Sequence, residues 1–226
     1  MPEENLLEGY PSPIEPRFVA KDLRTIQHRL VAAERSKDFF DGDRNFGYGG
    51  YNYDGRWQPI AKRMLEHYNI KNGGTILHLG CEKGFLLHDL WKLNRSLHVV
   101  GTETSDYAIE HAMPQVKNKI LKLSTTPLPF NDNSFDLVVG LGIIYTLTLP
   151  DAISTLREIT RVSRGNSFVT LAMYETEEDY FLFKDWTLLG TLMFKKHEWQ
   201  TILTYAGYQG DYAFTGAKSL HLKRKT

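Results

Sequence analysis

The sequence predicts an α/β fold, in which a doubly wound and mostly parallel sheet carries helices on both faces. The first observation behind it is the run TILHLGCEKGFLLHDL at residues 75–90, which reads as a buried strand, a glycine turn and a helix start. The second is the regular alternation of strand-like and helical patterns after it, which parallel sheets require. A chain of 226 residues is long enough for one such domain with a substantial core.

Within residues 59–226, the predicted domain, seven strands and their helices can be placed. A helix follows Pro59, a residue suited to a first helical turn. The strands are predicted at residues 75–79, 97–101, 119–123, 135–141, 167–172, 208–214 and 218–223. Further helices are predicted at residues 85–90 onward, 105–113, 150 onward and 196–206, the last capped by Gly207. The last two strands are predicted to form a hairpin, so that one strand runs against the others.

Residues 1–58 are predicted to be an extension of that domain. A polar, proline-punctuated tail covers residues 1–16, and residues 17–38 predict an amphipathic helix. The apolar positions that carry the helical spacing are Val19, Leu23, Ile26 and Leu30.

A loop rich in glycine and tyrosine, DGDRNFGYGGYNYDGRW, follows at residues 41–57. Glycine lets the backbone bend, and tyrosine offers flat apolar faces with a hydroxyl tip. Such a loop could close over bound ligands and exclude water. The side chains it could contribute are Asp43, Arg44, Tyr48, Tyr51 and Arg56. The alternative is a surface loop that only ties the N-terminal helix to the core.

Composition excludes several classes of protein. Lys plus Arg equals Asp plus Glu at 27 each, with an isoelectric point near 7.1, so no basic nucleic-acid-binding face is predicted. The single cysteine, Cys81, rules out an internal disulfide and fits a reducing compartment. The start lacks the layout of a signal peptide, and the apolar run at residues 137–150 is shorter than the ~20 residues that span a bilayer. We therefore expect a cytoplasmic protein without a membrane partner; its oligomeric state stays open.

The turn at residues 80–84 predicts a nucleoside cofactor. A strand that enters a helix through glycines places backbone N–H groups and a helix dipole at one point. A dinucleotide turn, G-x-G-x-x-G, would need glycines where Glu82 and Phe85 stand, which disfavours a nicotinamide oxidoreductase. Glu103 follows the second strand, where a carboxylate can accept both hydroxyls of a ribose.

Four ordered segments between residues 59 and 224 carry a resemblance: LHLGCEKG, VVGTETS, TTPLPFNDNSFDLVVG and LREITRVSRGNSFVTL. They resemble the class I S-adenosylmethionine-dependent methyltransferases, which implies a Rossmann-like fold and S-adenosylmethionine as cofactor. FGYGGYNYDGRW and AGYQGDY resemble a bacterial branch often associated with surface polysaccharides. That branch implies O-methylation of a small, sugar-derived or phosphorylated precursor.

The resemblance implies a set of cofactor-binding residues. They are Tyr48, His78, Gly80, Cys81, Glu82, Gly84, Glu103, Thr104, Ser124, Thr125, Gly140 and Leu141. Three depart from the family pattern: His78 replaces an acid, Glu82 replaces a small turn residue that must tolerate a strained backbone, and Ser124 replaces an adenine-binding acid. His78 could equally be a core histidine.

The predicted catalytic residues are Tyr145, Asp43 and Arg44. Tyr145 stands where the branch often has a histidine, but a phenol with a pKa of about 10 is a poor base at neutral pH. It is interpreted either as a hydrogen-bonding substrate contact or as packing. No metal site is predicted, since the histidines lack ligand spacing. A divergent, non-catalytic protein that binds a cofactor or a partner enzyme is the alternative function.

Overall fold

A computed structural model describes residues 2–8, 10 and 15–225 and contains eight strands in that part of the chain. They are β1 Arg17–Val19, β2 Thr75–Leu79, β3 His98–Glu103, β4 Ile120–Lys122, β5 Leu137–Gly140, β6 Ser167–Ala172, β7 Asp211–Thr215 and β8 Leu222–Arg224. Six of them form one sheet in the order β4-β3-β2-β5-β6-β7, and every pair in it is parallel. β1 and β8 form a separate parallel pair.

Helices cover both faces of the six-stranded sheet. The described helices are α1 Ile26–Ala33, α2 Lys37–Asp41, α3 Gln58–His67, α4 Phe85–Leu93, α5 Asp106–Glu110, α6 Leu149–Val162, α7 Glu177–Trp186 and α8 Lys196–Ala206. On β2, Ile76 packs in the core formed with α3 and α4, whereas Leu77 packs in the core formed with α6 and α8. This alternation between two cores confirms the predicted doubly wound, Rossmann-like α/β fold.

The predicted hairpin at the end of the chain is wrong, and with it the seventh, reversed strand. β7 runs parallel to β6, and β8 leaves the main sheet to pair with β1. The outer edge of β7 is covered by the N-terminal segment, since Tyr212 N donates to the carbonyl of Pro2 (3.3 Å) and Glu4 N donates to the carbonyl of Tyr212 (2.9 Å). That edge is therefore paired at Tyr212, which protects it from other strands.

The predicted helix at residues 17–38 is wrong in its first part and in its face. Residues 17–19 form β1, and α1 begins at Ile26 after Thr25, whose hydroxyl accepts from His28 N at 3.3 Å. Ile26 and Leu30 are 72% and 63% exposed. The spacing of Ile26 and Leu30 therefore marks a stripe that faces solvent. The helix α1 is held by Ala32, which packs in a separate buried cluster.

Two negative findings concern the described residues alone. No helix among them is long and apolar enough to cross a membrane. They also contain no cluster of three or more His, Cys, Asp or Glu side chains suited to hold a metal ion.

Candidate functional site

The turn between β2 and α4 bends through left-handed backbone, as the glycine spacing predicted. Gly80, Glu82 and Gly84 have φ of +62°, +52° and +73°. The strained conformation predicted for Glu82 is thus confirmed, and Gly84 directly precedes α4. A Cβ on Gly84 would lie 3.1 Å from Ile120 Cδ1, so the position has little room for a side chain.

The backbone donors of this turn are largely used within the protein, contrary to the expectation of free N–H groups. Cys81 N donates to the carbonyl of Thr102 (2.9 Å), and Gly84 N donates to the carbonyl of Cys81 (2.8 Å). Glu82 N donates to Oε2 of Glu103 (2.9 Å). A ligand at this turn must therefore be recognised by other groups as well.

Glu103, the predicted ribose carboxylate, is 2% exposed and does not line the cavity described below. Its Oε1 accepts from the backbone N–H groups of Thr104 (2.8 Å) and Ser105 (2.9 Å). Its Oε2 accepts from Glu82 N and from Arg35 Nη2 at 3.4 Å. A carboxylate has about four lone-pair directions, so a ribose would have to displace or share the Arg35 contact.

His78 lies on β2, is 5% exposed and borders the cavity. Neither ring nitrogen has a hydrogen-bond partner in the described chain. Burial lowers the pKa of His78 to about 4, so the ring is neutral at pH 7. A neutral imidazole offers one donor and one acceptor, and it can accept from an ammonium group without adding positive charge. These unpaired nitrogens fit the amino-acid end of S-adenosylmethionine.

The histidine makes a prediction for stability against pH. Its pKa of about 4 lies below the value of 6.5 expected in the unfolded chain, so its contribution to stability is full above pH 6.5 and falls as pH drops toward 4. Between pH 7.5 and 5.5, we expect the wild type to lose about 1.4 kcal/mol more than His78→Gln in urea unfolding. The exposed His98→Gln variant should keep the wild-type pH dependence. Equal losses in the wild type and His78→Gln would contradict a buried neutral ring.

The loop at residues 41–57 is folded against the turn. Tyr48 Oη donates to Glu82 Oε1 at 2.7 Å, and the Tyr51 ring stacks on Phe85 with centroids 4.7 Å apart. Lys83 Nζ donates to the Asp41 carboxylate at 2.7 and 2.8 Å and to the carbonyl of Tyr51 at 2.9 Å. These contacts make the loop one wall of the cavity, which favours the functional interpretation over a surface loop that only ties the N-terminal helix to the core.

A cavity of about 800 Å³ lies beside the turn and the loop, within the range of small-molecule sites. The predicted site residues that line it are Arg44, Tyr48, His78, Gly80, Cys81, Glu82, Leu141 and Tyr145. Those that do not line it are Asp43, Gly84, Glu103, Thr104, Ser124, Thr125 and Gly140. The first group of predicted residues therefore shares one cavity, and the second group lies outside it.

Several of the residues outside the cavity have contacts of their own. Asp43 accepts from Asn45 N at 2.7 Å, and Ser124 Oγ donates to the carbonyl of Thr126 at 3.0 Å. Thr125 Oγ1 accepts from Thr155 Oγ1 at 2.8 Å. For these three side chains, the structure gives a local bond and no approach to the cavity.

Tyr145 lines the cavity and is not arranged as a base. Burial raises its pKa to about 12, and its ring packs edge-on against Phe183 with centroids 6.2 Å apart. Its hydroxyl has no hydrogen-bond partner among the residues described. The group therefore stays protonated at neutral pH and is free to bond a ligand, which fits the predicted substrate contact.

Sequence reasoning missed Arg35. Its guanidinium lies 3.4 Å from Glu103 and 3.7 Å from Glu82, and it packs over the rings of Phe39 and Phe40 at 5.4 and 5.7 Å. Arg35 has φ of +48° and lies just after the end of α1, inside the stretch that the sequence predicted as one continuous helix. No local pattern links it to a carboxylate 68 residues away.

Comparisons with known proteins agree with this geometry. Residues 77–171 match the family model described as a methyltransferase domain. The tRNA U34 carboxymethyltransferase of Pseudoalteromonas translucida is 31% identical over 110 residues, which cover 44% of this chain and 33% of that protein. The aligned part thus spans only about a third of the relative's length.

Solved structures share the fold at low identity. One is a complex of the Haloferax volcanii Trm112 methyltransferase activator with a methyltransferase, with a TM-score of 0.56, 20% identity, and coverage of 80% of this chain and 76% of the other. Another is the [4+2]-cyclase SpnF, with a TM-score of 0.55, 15% identity, and coverage of 85% and 75%. The domain match supports a class I methyltransferase and implies S-adenosylmethionine as cofactor. These comparisons do not support the predicted exclusion of a nucleic-acid partner.

Proposed function

We propose that this protein is an S-adenosylmethionine-dependent methyltransferase that acts on a small molecule. The observation that carries the proposal is the cavity of about 800 Å³, which the Gly80 turn, His78 and the loop at residues 41–57 line together. A space of this size holds a cofactor and a small acceptor side by side.

The cofactor supplies a methyl group on a sulfonium, a reactive arrangement that needs alignment more than activation. In this proposal, neutral His78 accepts a hydrogen bond from the cofactor's ammonium, and the Glu82 carboxylate, 17% exposed, offsets its positive charge. Tyr48 holds Glu82 in place through its 2.7 Å hydrogen bond. Glu103 acts mainly through the turn it organises, and a ribose would reach its Oε2 only by displacing or sharing the Arg35 contact.

The loop at residues 41–57 acts as a lid in this proposal. It excludes water from the cavity, which prevents hydrolysis and strengthens polar contacts. Tyr145 donates to, or accepts from, the acceptor molecule and thereby orients its nucleophile. The acceptor class we favour is a sugar-derived or phosphorylated precursor of a surface polysaccharide that is methylated on oxygen, as the resemblance implies.

Calorimetric titration with S-adenosylmethionine, S-adenosylhomocysteine and NAD tests the cofactor. We expect both sulfur nucleosides to bind and NAD not to bind. Gly80→Ala should weaken S-adenosylhomocysteine binding at least about tenfold, because a Cβ there would lie 3.3 Å from Ile143 Cδ1 on left-handed backbone beside the ligand. Gly73→Ala is the matched control, since Gly73 has φ of +78° and no atom within 4 Å of its Cβ position. Equal effects of the two variants, or tight NAD binding, would contradict the proposal.

Two alternative functions are each favoured by a separate observation. A non-catalytic or differently reacting protein is favoured by the departures at His78, Glu82, Ser124 and Tyr145, and the [4+2]-cyclase has the same fold. Cofactor binding without methyl transfer to any acceptor would support it. A tRNA acceptor is favoured by the name of the curated relative. Against it stands the net charge of zero, and salt-dependent binding of a tRNA would be the supporting result.

A further inference from the structure

The wall of the cavity carries an excess of positive charge. Its lining residues include five arginines, two glutamates and no lysine or aspartate. Two of the arginines have carboxylate partners: Arg35 contacts Glu82 and Glu103, and Arg56 pairs with Asp54. The other three, Arg17, Arg24 and Arg44, form no ion pair within the described part of the chain, which contains every Asp and Glu side chain.

Arg24 anchors this group of three. It is only 9% exposed, and its Nε and Nη1 donate to backbone carbonyls. The three acceptors are the carbonyls of Trp186 (3.3 Å), Arg44 (3.1 Å) and Asn45 (2.8 Å). These bonds hold the guanidinium rigidly but neutralise none of its charge, and they leave the Nη2 amino group without a protein acceptor among the described residues. A buried cation without a counter-charge is costly unless a ligand supplies the charge.

Arg17 and Arg44 lie close enough to Arg24 to add to its uncompensated positive charge. The Arg17 guanidinium sits over the Trp186 ring, 5.5 Å from its centroid, and Trp186 is the residue whose carbonyl binds Arg24. Arg44 donates to the carbonyl of Gly47 with Nη1, which leaves its other donors unused by described residues. Burial lowers the pKa of both Arg17 and Arg24, and the charge of Arg44 lowers each further. The Asp43 carboxylate acts in the opposite direction and raises the pKa of Arg24, but its own hydrogen bond is accepted from Asn45 N.

We propose that Arg17, Arg24 and Arg44 form an oxyanion subsite, which binds a phosphate or carboxylate group of the acceptor molecule. Planar guanidinium forks suit such groups because they donate two parallel hydrogen bonds. The subsite borders the same cavity as the Gly80 turn and His78, so the bound anion fixes the acceptor within reach of the cofactor region. That the bound anion belongs to the acceptor rests on the proposed function, whereas the subsite itself is defined by the arginines alone.

The test is calorimetric titration of the full chain with inorganic phosphate and with malonate, in a chloride buffer, both before and after saturation with S-adenosylhomocysteine. We expect one of the two anions to bind, and the tighter one identifies the group. The double variant Arg17→Gln/Arg44→Gln should weaken that binding by about tenfold or more, since each lost guanidinium removes charge-assisted hydrogen bonds. Arg24→Lys, which keeps the charge but loses the fork, should weaken it as well. Arg95→Gln removes one positive charge from an exposed position outside the cavity and should leave that binding unchanged.

Three results would overturn the inference. They are the absence of binding by either anion, an equal loss in Arg95→Gln and the double variant, and anion binding that disappears on saturation with S-adenosylhomocysteine. The last would mean that the arginines hold the cofactor's own carboxylate. A protein that binds phosphate or malonate but no sulfur nucleoside would refute the proposed function and leave the oxyanion subsite standing. The reverse result would refute the subsite and leave the proposed function standing.

Discussion

Glu103→Gln is expected to lower the free energy of unfolding by about 3 kcal/mol, because the buried carboxylate accepts from three backbone N–H groups and from Arg35. A glutamine amide keeps the shape of the side chain but turns one acceptor oxygen into a donor. Whichever way the amide is placed, its NH₂ group faces N–H donors, either at Thr104 and Ser105 or at Glu82 and Arg35. The measurement is urea unfolding at pH 7.

Glu110→Gln is the control for the charge, since Glu110 is exposed at the end of α5 and should change stability by less than about 0.5 kcal/mol. The same substitution at Glu103 should also disorder the turn, because Glu82 N loses its acceptor. We therefore expect S-adenosylhomocysteine binding to fall together with stability. A Glu103→Gln protein as stable as the wild type would show that the carboxylate does not organise the turn.

Much of the fold could be predicted because it follows from local patterns. β2, β6 and α8 begin and end at the predicted residues, since short and mainly apolar runs mark buried parallel strands and Gly207 ends a clear helical stripe. The strand pairing at the chain's end could not be predicted in this way. It depends on Pro2–Glu4 covering β7 and on β1 meeting β8, contacts that join residues about 200 positions apart.

In the candidate site too, the parts that follow from local patterns could be predicted and the parts that depend on long-range contacts could not. The turn residues Gly80, Glu82 and Gly84 could be placed because left-handed backbone favours glycine, and their spacing is visible in the sequence. The roles of Arg24 and Arg35 could not be, since an arginine in a polar segment is most often solvated. Only the folded chain reveals that Arg35 covers Glu103 and that Arg24 is buried without a carboxylate.

Arg24 and Arg35 both connect the N-terminal extension to the rest of the protein. Both lie in residues 17–38, and each projects a cation toward the domain that follows. Arg35 meets acids that belong to the cofactor turn, whereas Arg24 meets only carbonyls. The extension therefore completes the turn at one side of the cavity and charges the wall at another, which a covering helix with an apolar face alone would not do.

Asp41→Ala is expected to loosen the loop at residues 41–57 and to lower the free energy of unfolding by about 2–3 kcal/mol. The Asp41 carboxylate accepts from Lys83 Nζ, from Tyr107 Oη at 2.7 Å and from Tyr51 N at 3.0 Å. The Lys83 side chain is 6% exposed, so removal of the acid leaves a buried cation without a counter-charge, and its Nζ keeps only the bond to the carbonyl of Tyr51. Because Asp41 itself is 23% exposed, water can reach part of the gap, and we place the loss below that of a fully buried pair.

The double variant Asp41→Ala/Lys83→Met separates the charge from the packing. If the unpaired lysine causes the loss, the double variant should recover part of the stability that Asp41→Ala removes, as measured by urea unfolding. The exposed Asp38→Ala, one helical turn earlier on α2, should change stability by less than about 0.5 kcal/mol. Limited proteolysis should cut residues 41–57 faster in Asp41→Ala, and S-adenosylhomocysteine should slow that cleavage in the wild type if the loop closes on the ligand. Cleavage at the wild-type rate in Asp41→Ala would show that the Asp41–Lys83 pair does not hold the loop, because the contacts of Tyr48 and Tyr51 would then suffice on their own.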